Sequence, residues 1–179
     1  INDTVAELLT AGYQYPDTQI GCIYATGSNN CYMERTADVG RPAAIINMES
    51  GSFNKLTPSQ WDNKLDEASE KPGRQRLEKM VSGRYMGELL SLTVQHLLNL
   101  QEKPEFTAID MSGIMADTTA VASDAAKVIS AKVGALEPGE AAYIRDLTEA
   151  IAVRSARIVA ACFAGILWHV SGSGKIADQ

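Results

Sequence analysis

Apolar and polar positions along this chain change their rhythm near Gly51, from short runs of strand length to long stretches of helical period. Before that point, Thr4 to Ala11 reads as a short helix, with Asn2 or Asp3 suited to cap it and Gly12 suited to end it. Tyr15-Pro16-Asp17 is a turn. Ile20 to Ala25 is an apolar run broken by the small polar residues Thr26-Gly27-Ser28-Asn29. Cys31 to Arg35 and Ala43 to Met48 predict two more strands, with Val39-Gly40-Arg41-Pro42 turning between them. Three strands in quick succession leave no room for crossover helices, so they must form an antiparallel meander.

Beyond Gly51 the pattern is helical. Pro58 to Glu67 carries Trp61 and Leu65, and Lys71-Pro72-Gly73 breaks it. Gln75 to Leu100 then reads as one long periodic run through Leu77, Met80, Val81, Tyr85, Leu89, Leu92, Leu97 and Leu98, ended by Pro104. Ser123 to Gly134 predicts a helix closed by its glycine, and Glu140 to Val170 a long amphipathic helix stopped by Ser171-Gly172-Ser173-Gly174. A three-strand meander beside this much apolar helix is an incomplete sheet. Because the chain opens on Ile1, sequence upstream is expected as well.

Composition changes this picture little. The chain has 179 residues, 45% hydrophobic and 21% charged, the profile of an ordinary globular domain able to bury a core. A formal net charge of −6 argues against nucleic-acid or anionic-membrane partners, though not against ATP, whose phosphates need only a local array of donors and a metal ion. Cys22, Cys31 and Cys162 are odd in number and lack CxxC spacing, which fits reduced thiols in the cytoplasm better than a disulfide framework or a zinc site. The uncharged stretch Ile158 to Val170 is too short to span a bilayer, with Arg154 and Arg157 just before it, so no transmembrane segment is expected. No signal peptide is visible, and Asn2-Asp3-Thr4 matches a glycosylation acceptor only formally.

Four clusters could carry chemistry, and each has an adequate structural explanation when taken alone. Asp3 at a helix start caps the helix and offsets its dipole, yet the same geometry holds an ionised carboxylate ready to take a proton from a hydroxyl. The segment Ala25-Thr26-Gly27-Ser28-Asn29-Asn30-Cys31-Tyr32-Met33-Glu34 is a strand, tight turn and strand that could offer backbone N–H groups and a threonine hydroxyl to phosphate oxygens, and it is also an ordinary hairpin. Asn47-Met48-Glu49 puts a carboxylate at the end of an apolar strand. Glu78 sits in the first turn of a helix, where an acid is favoured anyway.

Taken in order, these motifs, followed by Pro-Gly-x-Gln-x-x-Glu-Lys-Met-x-Ser-Gly-x-Tyr-x-Gly-Glu from Pro72 through Tyr85, Gly87 and Glu88, resemble the eukaryotic-type hexokinase family. The similarity continues more loosely through Phe106-Thr107-Ala108-Ile109-Asp110 and Val153-Arg154-Ser155-Ala156-Arg157. The resemblance implies an α/β fold: part of the ribonuclease H-like (actin-like ATPase) large lobe, over residues 1–170, followed by a Gly/Ser-containing tail over 171–179. It implies ATP-dependent phosphorylation of the 6-hydroxyl of glucose or a related hexose, the first step of glycolysis, with Mg²⁺ carried in by the nucleotide. Asp3 would be the general base, Asn2, Asn29, Glu49 and Glu78 would hold the ring hydroxyls, and Thr26 with Gly27 would lie on the phosphate path. Carboxylates and amides suit a ring of hydroxyls, and such a site rejects analogues that leave its polar groups unpaired. No residue is assigned to a protein-held metal.

Several positions depart from the family pattern. Ala25 replaces a glycine, which matters if that residue needs φ > 0 or close phosphate approach. Ser50-Gly51-Ser52 stands where tryptophan followed by Gly-Ala is usual, which should loosen the packing that fixes Glu49, and Asn30 replaces a small residue. Such changes resemble those of non-catalytic hexokinase-like regulators or sugar sensors, the alternative function. The Asp-x-Gly-Gly-Thr phosphate motif, the small-lobe Thr-Lys pair and the adenosine segment do not occur, so the small lobe and the adenosine site are expected outside this chain. Ser171-Gly172-Ser173-Gly174-Lys175 lacks P-loop spacing and reads as a helix stop, and His96 and His169 lack metal-spaced partners.

Overall fold

A computed structural model describes residues 2–35 and 43–171. The turn expected at Val39 to Pro42 and the tail from Gly172 lie outside the described residues.

Helix α1 (Asp3–Gln14) starts at Asn2, whose Oδ1 accepts the Thr4 N–H at 2.9 Å. It continues through Gly12, where a stop was expected, and ends at Tyr15, with φ −128° and ψ 90°. Pro16 is the physical reason, since its ring excludes the preceding residue from the helical region. The turn then closes by Thr18 N–H on the Tyr15 carbonyl at 2.9 Å.

Strands β1 (Ile20–Tyr24), β2 (Ser28–Glu34) and β3 (Ala44–Asn47) form the expected antiparallel meander, in the order β1-β2-β3. Tyr24 pairs with Ser28, so Ser28 and Asn29 belong to β2 rather than to the loop, which tightens to residues 25–27. Side chains alternate between faces. Gly21, Asn29, Cys31 and Asn47 share the face toward α1, where a Cβ on Gly21 would lie 2.8 Å from the Thr4 carbonyl oxygen. Cys22, Tyr24, Asn30 and Tyr32 share the opposite face.

Capping boxes open α2 (Gln60–Ala68) at Ser59 and α5 (Ala108–Met115) at Thr107. The run expected to be one helix from Gln75 to Leu100 is two, α3 (Arg76–Val81) and α4 (Gly83–Leu97), broken at Ser82 with φ −78° and ψ 152°. The break lets Gly83 N–H reach the Ala25 carbonyl at 2.7 Å, and a Cβ on Gly83 would sit 3.1 Å from that oxygen. Helix α6 (Ser123–Val133) ends at Gly134, with φ 87°, and α7 (Glu140–Val170) has the expected bounds.

The main core gathers Leu90 and Val94 of α4, Met111 and Ile114 of α5, Ile129 of α6 and Ile144 of α7. Helix α7 is the spine, packing on α3, α4, α5, α6 and β2. By length and composition it is apolar enough to cross a membrane, although its longest uncharged stretch suggested otherwise. Here Ile144, Ile151, Ser155, Val159 and Ile166 are its buried stripe. Near its end, His169 Nε2 meets Glu34 Oε2 at 2.7 Å and its ring stands edge-on to Tyr32. Between α7 and the segment after β3 lies a groove of about 1260 Å³, walled by Met48, Phe53, Leu56, Val153 and Ile158. All three cysteines are free thiols, and burial pushes each of them up from its ordinary pKa.

Candidate sugar and phosphate site

The N-terminus of α1 and the middle of the meander meet in one hydrogen-bonded network, and the start of α3 bonds the hairpin beside it. Thr4 N–H donates to Asp3 Oδ1 at 2.8 Å, and the Thr4 hydroxyl donates to the same oxygen at 3.3 Å. Asn29 Nδ2 donates to Thr4 Oγ1 at 3.2 Å and to Asn47 Oδ1 at 2.7 Å. Asn47 Nδ2 in turn donates to Glu49 Oε1 at 2.7 Å. Asp3 and Glu49, far apart in sequence, are thus linked through three intervening side chains. Asp3 and Glu49 are exposed while Asn29 is half-buried, so the carboxylates face solvent from a fixed base.

Asn29 is the centre of this arrangement because its strand position sets both ends of its amide. While Nδ2 serves Thr4 and Asn47, Oδ1 accepts the N–H of Asn30 at 2.8 Å and of Ser50 at 3.1 Å. Glu49 has φ 50° and ψ 44°, a left-handed backbone that a non-glycine residue adopts only under constraint. The Ser50 N–H bond to Asn29 and the 3₁₀ turn over Ser50–Ser52 supply that constraint.

Glu78 enters from α3. Its Oε2 accepts the Ser28 N–H at 3.2 Å, and a Cβ on Gly27 would lie 3.1 Å from the same oxygen. Gly51 is equally confined, since a Cβ there would meet Gln75 Oε1 at 2.7 Å and Glu78 Cβ at 3.1 Å. Two glycines therefore let the hairpin and the turn after β3 close on one carboxylate. Asp3, Asn29, Glu49 and Glu78 all border the β1–β2–β3 hairpins, and Asn2 stays at the cap of α1.

At the hairpin tip Thr26 is exposed, and among the described residues no protein acceptor takes the N–H of Thr26 or Gly27. Ala25 is not among the non-glycine residues with positive φ, which are Glu49, Gln75, Asn99 and Ala122. Alanine thus replaces the family's glycine there without backbone strain. The other two departures are partners: Asn30 Nδ2 donates to Ser50 Oγ at 3.0 Å in a buried pair. A polar contact stands where the aromatic is missing, and it is half satisfied, because Asn30 Oδ1 is buried with no hydrogen-bond partner among the described residues.

Thr4, Ser28 and Asn47 complete the site and were not singled out by sequence. Asn47 had a signal, because it lies in the same Asn-x-Glu motif as Glu49. Thr4 and Ser28 had the same kind of signal, lying in the Asn-Asp-Thr and Thr-Gly-Ser-Asn motifs, but neither was given a role.

The family model described as hexokinase matches residues 19–177, and the chain belongs to the hexokinase family. It is 32% identical to human Hexokinase-3 over 189 residues, covering 93% of this chain and 20% of that protein. To mouse Hexokinase-1 it is 33% identical over 193 residues, covering 93% of this chain and 19% of that protein. Human Hexokinase HKDC1 is 43% identical over a shorter span of 113 residues, 55% of this chain and 12% of that protein. The fold matches a Schistosoma mansoni hexokinase solved in complex with glucose at a TM-score of 0.84 and 27% identity, over 93% of this chain and 43% of that one. The chain spans about a fifth of the length of the curated relatives it matches. Its three antiparallel strands and helices are an incomplete portion of the actin-like ATPase lobe.

Proposed function

We propose that this chain supplies the sugar-binding wall and the general base for ATP-dependent phosphorylation of a hexose 6-hydroxyl. The observation that carries the reading is the unbroken hydrogen-bond path from Asp3 through Thr4, Asn29 and Asn47 to Glu49, with Glu78 fixed against Ser28 beside it. Helix capping explains Asp3 alone but gives no reason for two further carboxylates from other elements to gather there.

In this reading Asp3 accepts the proton of the attacking 6-hydroxyl. Its carboxylate is held by the Thr4 N–H and hydroxyl, leaving one oxygen toward solvent and the substrate. Glu49 and Glu78 take ring hydroxyls, each with an orientation set by a protein partner, while Asn29, whose amide is fully engaged by Thr4, Asn47, Asn30 and Ser50, reaches the sugar by exchanging one of those bonds. Asn2 acts at the edge of this ring, held by the bond its side chain accepts from Thr4 N–H. The unpaired N–H groups of Thr26 and Gly27 and the Thr26 hydroxyl suit phosphate oxygens. Bound ATP with its Mg²⁺ would supply the phosphoryl group and neutralise its charge. The small lobe and the adenosine segment are assigned to regions outside this chain, and the cytoplasm is the proposed location.

The reading as a non-catalytic regulator draws on Ala25, Asn30 and Ser50; the ordinary φ of Ala25 answers one of its reasons, while the added bulk on the phosphate path and the unpartnered Asn30 Oδ1 keep it as the second reading. The test is glucose-dependent ADP release by the full-length protein, wild type against Glu78→Gln. Losing a charged acceptor should raise the KM for glucose about 10- to 100-fold. A KM unchanged by Glu78→Gln would remove Glu78 from the sugar site, and glucose binding by the wild type without ADP release would favour the regulator.

A further inference from the structure

We infer that Tyr24, Arg154 and Ser155 form a positioning device that holds the phosphate hairpin in register with Glu78, so that α7 sets the alignment of the two substrates; the inference rests on the proposed reaction.

The break at Ser82 ends α3 and leaves its last carbonyls without intrahelical partners. Two neighbouring residues of α7 take them. Arg154 Nη2 donates to the Met80 carbonyl at 3.2 Å, and Ser155 Oγ donates to the Val81 carbonyl at 2.6 Å. Arg154 is itself fixed by a two-pronged bond to Asp62 of α2, with Nη1 to Oδ2 at 2.8 Å and Nη2 to Oδ1 at 2.9 Å. A long helix thereby caps the short one that carries Glu78.

The same serine reaches the hairpin. Tyr24 Oη lies 2.7 Å from Ser155 Oγ. Ser155 has one hydroxyl hydrogen, and the Val81 carbonyl can only accept, so Tyr24 must be the donor to Ser155. The relay runs from the last residue of β1, through α7, to the last carbonyl of α3. A second link closes the loop on the other side, from Gly83 N–H to the Ala25 carbonyl at 2.7 Å. The β1 side of the tip carrying Thr26 and Gly27 is thus tied at two adjacent residues, Tyr24 and Ala25, to the two sides of the helix break, one turn beyond Glu78, which itself holds the Ser28 side. Ser155 is fully buried, whereas Tyr24 is 42% exposed, so removing only the tyrosine hydroxyl opens no cavity.

A part that aligns two bound substrates acts on turnover more than on affinity for one of them, because small misplacements between reacting groups are costly. The experiment uses the full-length protein and compares wild type, Tyr24→Phe, Ser155→Ala, Ser155→Thr and the Tyr24→Phe/Ser155→Ala pair. Glucose Kd is read by calorimetry, kcat by ADP release, and thermal midpoint separately. Tyr24→Phe should lower kcat by about tenfold while glucose Kd stays within about twofold, and Ser155→Thr should retain most of the turnover that Ser155→Ala loses. Because both residues act in one relay, the pair should be no slower than Ser155→Ala alone. A kcat unchanged in Tyr24→Phe, with only the thermal midpoint lowered, would show a purely structural bond and overturn the inference. A normal turnover abolished by Asp3→Asn yet indifferent to Tyr24→Phe defeats the positioning device alone. A wild type that binds glucose and phosphorylates nothing defeats the proposed reaction and the device with it.

Discussion

Replacing Asp66 by alanine should release the loop that leads into α3. Its Oδ2 accepts from Gly73 N–H at 2.8 Å and Arg76 Nη1 at 2.7 Å, and its Oδ1 accepts from Lys79 Nζ at 2.6 Å. The side chains of Asp66 and Lys79 are only 7% and 4% exposed. Lys79 Nζ has one other partner, the Lys71 carbonyl at 2.7 Å. Asp66→Ala therefore strands a buried ammonium with no counter-charge, which costs about 3–5 kcal/mol. Lys79→Met is milder, because Asp66 keeps Arg76 and Gly73, and should cost about 1.5–3 kcal/mol, the worth of a hydrogen bond to a charged group. Adding Lys79→Met to Asp66→Ala should recover part of the loss, since the stranded charge disappears with it. Amide hydrogen exchange in the full-length protein reads this locally, at residues 73–81. A loss of 3 kcal/mol corresponds to roughly 150-fold faster exchange through local opening. Burial raises the Asp66 carboxyl, but the bonds from Lys79, Gly73 and Arg76 outweigh it and leave its pKa below 3.8. The folded value lies under the unfolded one, so the stabilisation is complete above about pH 4 and lost as pH falls further. Exchange in Asp66→Ala within a few-fold of wild type at pH 7 would refute the reasoning.

Other substitutions test separate contacts. Gly87→Ala places a Cβ 2.4 Å from the Phe106 carbonyl oxygen, so α4 must shift against residues 106–107; a destabilisation of about 1–3 kcal/mol is expected in denaturant titration. Gly27→Ala brings a Cβ to 3.1 Å from Glu78 Oε2 and should weaken glucose binding, read by calorimetry, with little change in thermal midpoint. Asp117 accepts from the Thr119 hydroxyl, from Ala125 and Thr119 N–H groups and from Asp124 N–H, and these bonds hold its carboxyl far below the usual carboxylate range. Its contribution is present above about pH 4 and fades as pH falls, so Asp117→Ala should lower the midpoint at pH 7 and lose that deficit in strong acid.

The meander was legible because Ile20, Cys31 and Ala43 each open a short run with no helix between them. The long α7 was legible from one uninterrupted helical stretch. What periodicity could not show was tertiary override. Ser82 interrupts a run whose apolar spacing continues on both sides, because the Ala25 carbonyl takes the Gly83 N–H. Gly12 fails to stop α1 because Pro16 decides the end instead. Helix α5 went unread although Thr107 and Asp110 form a capping box, a signal available in the sequence. Within the site, the carboxylates and Asn29 came from motif order, while the pairing of Asn30 with Ser50 joins residues twenty apart that no local rule connects. Arg154 and Ser155 stood in a recognised stretch, but their partners Asp62, Met80, Val81 and Tyr24 lie on other elements.

The most direct measurement of Asp3 as the general base is the paired determination of kcat and glucose Kd for Asp3→Asn in the full-length protein. Asparagine preserves the shape of the side chain and can still accept from the Thr4 N–H, but it cannot take a proton from the sugar hydroxyl. Turnover should fall by about 100- to 10,000-fold, the usual worth of a general base, while glucose Kd changes by less than about threefold. Turnover at the wild-type rate, with or without altered binding, would contradict the assignment and return Asp3 to the role of a helix-terminal charge.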